Sequence, residues 1–380
     1  MIAACVADYR ELARRRLPRV LFDYIDGGSY GEVTLRRNVE DFEAIALRQR
    51  VLRDVSSISL ATEWFGQPLS MPVALAPVGM AGMYARRGEA QAARAAHAAG
   101  VPMILSSVSV CDLSEVKAAT GEAPWFQLYM IKDRAYMADL LARAAALGVK
   151  VLVFTVDLPV PGARYRDYRT GLFGGNAAKT FFKRGLDGAL HPDWVQDVWL
   201  RGRPHSFGNI AAAIPDARGI MEFWPWVTRN FDPTLTWADL EWVRQHWKGP
   251  IVLKGVLDPE DAREAVRHGV DGIVVSNHGG RQLDGVLSGA RALPAIAEAV
   301  GDETTVLMDG GVRSGLDVVK ALALGAKGVL IGRAWAWALG ARGEAGVAHV
   351  LAVLRQEMMM AMALTGCTDV RNADAGLLAQ

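Results

Sequence analysis

Cysteine is scarce: the 380 residues hold three, Cys5, Cys111 and Cys367, in no metal or redox spacing. That excludes a disulfide framework and a zinc site, and no metal is expected; three scattered thiols fit a reducing compartment. An excess of one charge is also missing. Lys and Arg total 42 against 41 Asp and Glu, a net charge of +1, so nothing points to a nucleic-acid partner. No stretch reaches the roughly 18 consecutive apolar residues of a membrane span. Met1 to Leu17 carries Asp8, Glu11 and Arg14–Arg16 where a signal peptide would have an apolar core. The chain is therefore expected on the cytoplasmic side, without a signal peptide or transmembrane helix. Repeats and low-complexity tracts are absent too.

What is present is an alternation. From Met71 on, short apolar runs recur: Met71–Val78, Pro102–Ser107, Trp125–Met130, Val149–Leu158, Ile251–Val256, Gly272–Ser276, Thr305–Met308 and Gly328–Ile331. Continuous Val/Ile/Leu runs mark parallel strands buried on both faces. Ala-rich helical segments separate them, among them Glu89–Ala99, Arg134–Leu147, Pro259–His268 and Gly315–Leu324. Gly100, Gly148 and Gly325 follow three such helices and suit the left-handed residue that ends a helix. Eight strands alternating with helices predict an α/β fold, a TIM (β/α)₈ barrel over residues 71–380, with an open doubly wound sheet as the other arrangement. Residues 1–70 read as an N-terminal extension with helices near Asp8–Arg16 and Arg19–Asp26. A long insertion, about residues 176–236, follows the fourth strand, on the side where barrels build their sites.

Barrel strands converge at their C-terminal ends, and six consecutive strands here end in polar groups: Ser106; Gln127 and Tyr129; Thr155 and Asp157; Lys254; His278 and Arg281; Asp309 and Arg313. Asp309-Gly310-Gly311-Val312-Arg313 and Gly332-Arg333 end strands seven and eight, where barrel phosphate sites form and glycines admit close anion approach. Tight turns are the other reading of those glycines. Lys254 ends a buried strand, so it needs an anionic or electron-rich neighbour, or a depressed pKa. It suits a Schiff-base nucleophile of an aldolase, a charge beside a flavin, or a salt bridge. His278 is the one histidine at the barrel mouth beside Gly-Gly-Arg; it suits a base, with Asp157 to orient it. Arg164 and Arg281 can each fork onto a carboxylate.

Ser276–Asp284, Asp309–Arg313 and Gly332-Arg333 resemble the FMN-dependent 2-hydroxy-acid oxidoreductases, and the resemblance covers nearly the whole chain. Tyr24-Ile25-Asp26-Gly27-Gly28, Leu35-Arg36-Arg37-Asn38 and Pro161–Asp167 bring it nearest to the quinone-linked bacterial L-lactate dehydrogenases. The resemblance implies oxidation of an L-2-hydroxy acid, L-lactate to pyruvate, with FMN as cofactor and a membrane quinone as acceptor. An oxidase using dioxygen, a flavin-free aldolase using Lys254 and a non-redox FMN barrel stand as alternatives. Position by position, it implies that Pro77, Val78 and Gly79 offer backbone to the flavin ring, while Ser106, Gln127 and Thr155 bond its edge. Lys254 would sit on its N1 side, with Asp309, Gly310, Gly311, Arg313, Gly332 and Arg333 at the ribityl chain and phosphate. Tyr24, Arg164 and Arg281 would take the substrate carboxylate, Tyr129 the reacting end, and His278 with Asp157 the proton. Gly79 departs from the Ala of several relatives. A homo-oligomer is also expected.

The insertion is rich in aromatics: Phe181, Phe182, Trp194, Trp199, Phe207, Phe223, Trp224 and Trp226. With Lys179, Lys183 and Arg184 they suggest a peripheral membrane-docking segment over residues 179–229. A lid packed on the barrel mouth would use the same rings.

Overall fold

The computed structural model describes residues 1–172, 185–213, 226 and 229–379. Eight parallel strands form the barrel: β3 (Val73–Leu75), β4 (Ile104–Ser106), β5 (Trp125–Leu128), β6 (Leu152–Thr155), β7 (Ile251–Val256), β8 (Gly272–Val275), β9 (Thr305–Asp309) and β10 (Gly328–Ile331). They pair in the order β3-β10-β9-β8-β7-β6-β5-β4. A parallel bridge between Leu75 and Met103 draws β3 toward β4 and closes the ring. The left-handed glycines stand where the sequence put them, with φ of 67° at Gly100, 83° at Gly148 and 107° at Gly325.

Side chains alternate in and out along each strand. The inward set is a separate apolar cluster that includes Ala74, Ile104, Trp125, Val153, Val252, Val274, Leu307 and Leu330. Two residues further along each strand the same face carries Ala76, Ser106, Gln127, Thr155, Lys254, Ser276, Asp309 and Gly332. The barrel is thus apolar at its N-terminal end and polar at its C-terminal end. A hairpin, β1 (Thr62–Trp64) and β2 (Gln67–Leu69), plugs the apolar end. Trp64 Nε1 donates to Lys327 O at 3.1 Å. A Cβ on Gly328 would fall 1.8 Å from the Trp64 ring, and one on Gly272 2.7 Å from Phe65. Those two strands begin with glycine because the plug occupies that space.

The N-terminal region holds helices α1 (Val6–Arg16), α2 (Arg19–Asp26) and α3 (Val33–Glu43). The third corrects the sequence reading, which left it as irregular chain. Its N-terminus has no local side-chain cap; Asp284, far along the chain, accepts from Val33 N (3.2 Å) and Thr34 N (2.7 Å) instead. The last helix, Arg333–Thr365, bends at Arg342 and Gly343. It is long and apolar enough to cross a membrane by length and composition, yet Trp335, Leu339, Val347, Leu351, Leu354 and Met362 are buried in the core. We read it as a packed core helix. Within the insertion, Trp194, Phe207 and Trp226 are buried and Trp199 is exposed. Trp194 Nε1 donates to Met83 O at 2.8 Å, so part of the aromatic set packs on the barrel. Phe181, Phe182, Phe223, Trp224 and the Lys179–Arg184 stretch lie outside the described residues.

Candidate active site

One cavity opens at the polar end of the barrel, about 1180 Å³ with its mouth included. Most of the residues singled out in the sequence line it: Tyr24, Pro77, Val78, Gly79, Tyr129, Thr155, Arg164, Lys254, His278, Arg281, Asp309, Gly310, Gly311, Arg313, Gly332 and Arg333. Ser106, Gln127 and Asp157 are not among its lining residues.

His278 has φ of 58°, a strained conformation for a side chain with a Cβ. Its N–H donates to Ser276 Oγ at 3.0 Å, and its Nδ1 lies 2.8 Å from Asp157 Oδ1. Nε2 faces the Tyr129 hydroxyl at 3.5 Å. Burial works against the charged Asp157, but His278 and Lys254 outweigh it and hold this carboxyl below its ordinary value. Burial pushes the Tyr129 phenol up, with Asp157 adding to the effect, so it stays protonated.

Two guanidinium groups flank Tyr24: Arg281 lies 4.7 Å and Arg164 5.5 Å from its ring centre. Arg281 Nη1 donates to Tyr24 O (2.5 Å) and Gly27 O (3.0 Å), at the carbonyl-rich end of α2. Burial, and then Arg281 itself, push the Arg164 pKa down. Asp167 is the carboxylate behind them, with Oδ2 3.6 Å from Arg164 Nε. A buried cation, Arg164, beside a partly buried one, Arg281, makes a place for an anion.

On the opposite side Lys254 Nζ pairs with Asp309 Oδ2 at 2.8 Å and donates to Ser276 Oγ at 2.9 Å. Burial opposes its charge, but Asp309 and Asp157 more than offset this and raise its pKa. A Schiff-base nucleophile must be a neutral amine, and this pairing favours the charged form instead. Ser106 Oγ donates to Gln127 Oε1 at 3.0 Å. Among the described residues, Gln127 Nε2, Thr155 Oγ1 and Asp309 Oδ1 are buried with no partner. Buried polar atoms are nearly always bonded, so three orphans around one cavity mark a ligand.

Arg313 donates to Val312 O at 2.9 Å and lies 4.9 Å from the Trp337 ring. Burial lowers its pKa to about 10. Arg333 is buried as well, and burial with Arg281 and Arg313 nearby pushes its pKa well down. Its guanidinium donates to Asp26 O (3.3 Å), Gly27 O (2.7 Å) and Gly279 O (2.8 Å). A Cβ on Gly332 would meet nothing closer than Ala76 at 4.0 Å, so that glycine keeps the cavity open. Gly311 is different: a Cβ there would lie 1.8 Å from Asn38 O. Packing against α3 explains this glycine without any anion.

Three residues near the cavity were not read from the sequence. Tyr84 donates to Gly79 O at 2.9 Å and fixes the Pro77–Gly79 turn. Phe231 reaches Tyr129, ring centroids 5.2 Å apart, because an antiparallel bridge to Ile131 pins the end of the insertion. Gln282 Nε2 donates to Asp157 O (2.8 Å) and Val160 O (3.0 Å), tying two loops together. Position in the fold, not residue type, brings these to the site.

The family described as FMN-dependent dehydrogenase matches residues 13–380. This chain belongs to that family. It is 62% identical over 380 residues to an L-lactate dehydrogenase of Caulobacter vibrioides (strain NA1000 / CB15N), covering 100% of this chain and 98% of the relative. Identity to the L-lactate dehydrogenase of Caulobacter sp. (strain K31) is 60%, over 100% of this chain and 99% of that one. Among solved structures, a monotopic membrane protein, (S)-mandelate dehydrogenase, superposes with a TM-score of 0.92 at 35% identity, covering 100% of both chains. A mandelate oxidase with (S)-4-hydroxymandelic acid gives 0.85 at 39%, over 99% of this chain and 98% of that chain.

The residues of this FMN-dependent dehydrogenase fit the cofactor. Gln127 Nε2 and Thr155 Oγ1 supply the bonds that a ring edge of carbonyls and nitrogens accepts, and Asp309 Oδ1 accepts from a hydroxyl. Arg313 would supply a partly buried cation for a phosphate.

Proposed function

We propose that the protein oxidises L-lactate to pyruvate, with FMN in the cavity and a membrane quinone as the final acceptor. The observation that carries this reading is the His278–Asp157 pair, 2.8 Å apart, in one cavity with Arg164 and Arg281. When bound, FMN supplies the two-electron acceptor. Arg164, Arg281 and Tyr24 hold the substrate carboxylate and orient the α-carbon toward the orphaned donors. Asp157 fixes the Nδ1–H tautomer of His278, which leaves Nε2 as the base. That atom receives the hydroxyl proton in a hydride route and the α-proton in a carbanion route. Asp157 then stabilises the imidazolium, and the Tyr129 phenol donates to the reacting oxygen. Pro77, Val78, Gly79 and Lys254 would hold the flavin ring, and the Asp309–Arg313 and Gly332–Arg333 segments would hold the ribityl chain and phosphate. The lactate dehydrogenases at 62% and 60% identity support the choice of substrate.

The (S)-mandelate dehydrogenase neighbour is a monotopic membrane protein, which supports peripheral association on the cytoplasmic side of the inner membrane. Leu186, Leu190, Trp199 and Leu200 of the insertion are exposed, as membrane docking requires. Met359, Met360 and Leu364 of the last helix are exposed too and support a homo-oligomer. The test uses purified yellow protein. Lactate should bleach the bound flavin, and a quinone analogue should reoxidise it faster than dioxygen. The variant His278→Gln should keep FMN and slow bleaching by about 10²–10⁴-fold; a near-normal rate would refute the assignment. Replacing residues 179–229 with a Gly/Ser linker should move the protein from membranes to supernatant while dye reduction persists.

A further inference from the structure

The carboxylate of Asp157 is held over a residue with no side chain. Gly255 lies inside β7 at φ of 110°. The pairing with β8 shifts there: Lys254 faces Val274 and Val256 faces Val275, so Gly255 is an extra residue. Such a bulge redirects the chain at a strand end and often adjoins an active site. A Cβ placed on Gly255 would lie 2.5 Å from Asp157 Cβ, 2.6 Å from Cγ and 2.9 Å from Oδ2. The nearest of these atoms is the root of the Asp157 side chain, which cannot swing aside as a flexible tip would.

The backbone that carries Asp157 is fixed from two directions. Val156 N donates to Lys254 O at 3.0 Å, and Gln282 Nε2 donates to Asp157 O at 2.8 Å. An added methyl at residue 255 is relieved at Cγ and Oδ2 by rotating the carboxylate, and at Cβ only by displacing the Asp157 segment itself, which also moves Oδ1. Rotation takes Oδ1 off His278 Nδ1, which it now meets at 2.8 Å. We infer that Gly255 is a positioning residue for the proton-transfer pair: its missing side chain is the space in which Asp157 reaches and orients His278. This rests on the reading of His278 as the base.

The experiment compares FMN-loaded wild type with Gly255→Ala, Asp157→Gly and the double variant, with Asp157→Asn and His278→Gln as controls. Three quantities are read: the rate of flavin bleaching at saturating lactate, its lactate dependence, and the Nδ1–Oδ1 distance in crystals. Gly255→Ala should keep FMN and lactate dependence, lose about 10–100-fold in rate, and lengthen the Nδ1–Oδ1 distance past about 3.5 Å. In the Asp157→Gly background the clash is gone, and adding Gly255→Ala should change the rate by less than about threefold. A wild-type rate with the short distance retained would overturn the inference. Equal losses in both backgrounds would also overturn it, since backbone strain at residue 255 would then be the whole cause. If Gly255→Ala is not recovered as holoenzyme, recovery of the double variant supports the inference and loss of both refutes it. If Asp157→Asn and His278→Gln both bleach normally, the site reading fails; if they are slow and Gly255→Ala is normal, only this inference fails.

Discussion

Arg313 should destabilise the protein it belongs to and be kept for the anion it binds. Burial lowers its pKa to about 10. At about 1.4 kcal/mol per unit, the charged side chain costs the fold about 3 kcal/mol at neutral pH. The sign follows from the direction. A basic group with a lowered folded pKa opposes folding wherever it is charged, and the penalty fades as pH rises above about 10 toward the ordinary arginine value. Stacking over Trp337 at 4.9 Å returns about 0.5–2 kcal/mol. The variant Arg313→Met keeps most of the volume and discards the charge, so the FMN-free protein should gain about 1–2 kcal/mol in urea unfolding followed by tryptophan fluorescence. FMN affinity should move the other way, by about 2–4 kcal/mol or about 30- to 1000-fold, read by quenching of flavin fluorescence. If the FMN-free variant were less stable than FMN-free wild type, or kept FMN through dialysis like wild type, the account of this cation would be wrong.

Two further outcomes follow from the charges around α2. Arg281→Lys should raise the KM for lactate by about 10–100-fold with FMN retained, because one ammonium cannot hold the Tyr24 and Gly27 carbonyls and also grip a carboxylate at two points; FMN loss with an unchanged KM would reverse the division between substrate and cofactor residues. Asp26 is buried between Arg10 at 2.5 Å and Arg166 at 2.7 Å. Burial raises its pKa, but the two cations outweigh that and leave it below the ordinary value. Its contribution is therefore complete above about pH 4 and lost as pH falls through the lower folded value. Asp26→Asn should cost about 2–3 kcal/mol at pH 7, less than a fully buried pair because Arg10 is half exposed. The gap to wild type should close in acid; a constant gap from pH 7 to 3 would refute the charge argument.

The barrel was legible because each strand states its own burial in Val, Ile and Leu, and each closing glycine states its own φ. The polar ends were legible for the same reason: the two-residue period that buries Val252 and Leu307 brings Lys254 and Asp309 to the cavity. Helix α3 was not legible, since its start is capped by Asp284 from the other end of the chain. The hairpin plug shows locally only as two three-residue strands, and its partners Gly272 and Gly328 lie more than 200 residues away. Phe231 falls in the same class, placed by a bridge to Ile131 that no local pattern announces. Arg333 was legible by its place after β10, whereas the carbonyls of Asp26, Gly27 and Gly279 that its guanidinium meets come from distant segments and were not.

The charge balance makes the same distinction between global and local information. A net charge of +1 over the chain gives no overall attraction for a polyanion, and it says nothing about a small ligand. Inside the cavity the balance is different. Lys254, Arg164, Arg281, Arg313 and Arg333 line it, and Asp309 is the one carboxylate among its lining residues. Lys254 is matched by Asp309, and Asp167 stands behind Arg164 and Arg281. That leaves positive charge in two separate places: beside Tyr24, and beside Trp337. Burial makes an excess cation costly in each, so each is tolerable only if an anion arrives there. On the proposed function, a substrate carboxylate would answer the first excess and a cofactor phosphate the second. The proposed reading therefore puts an anionic molecule at each place, with the His278–Asp157 pair in the same cavity to move a proton at one of them.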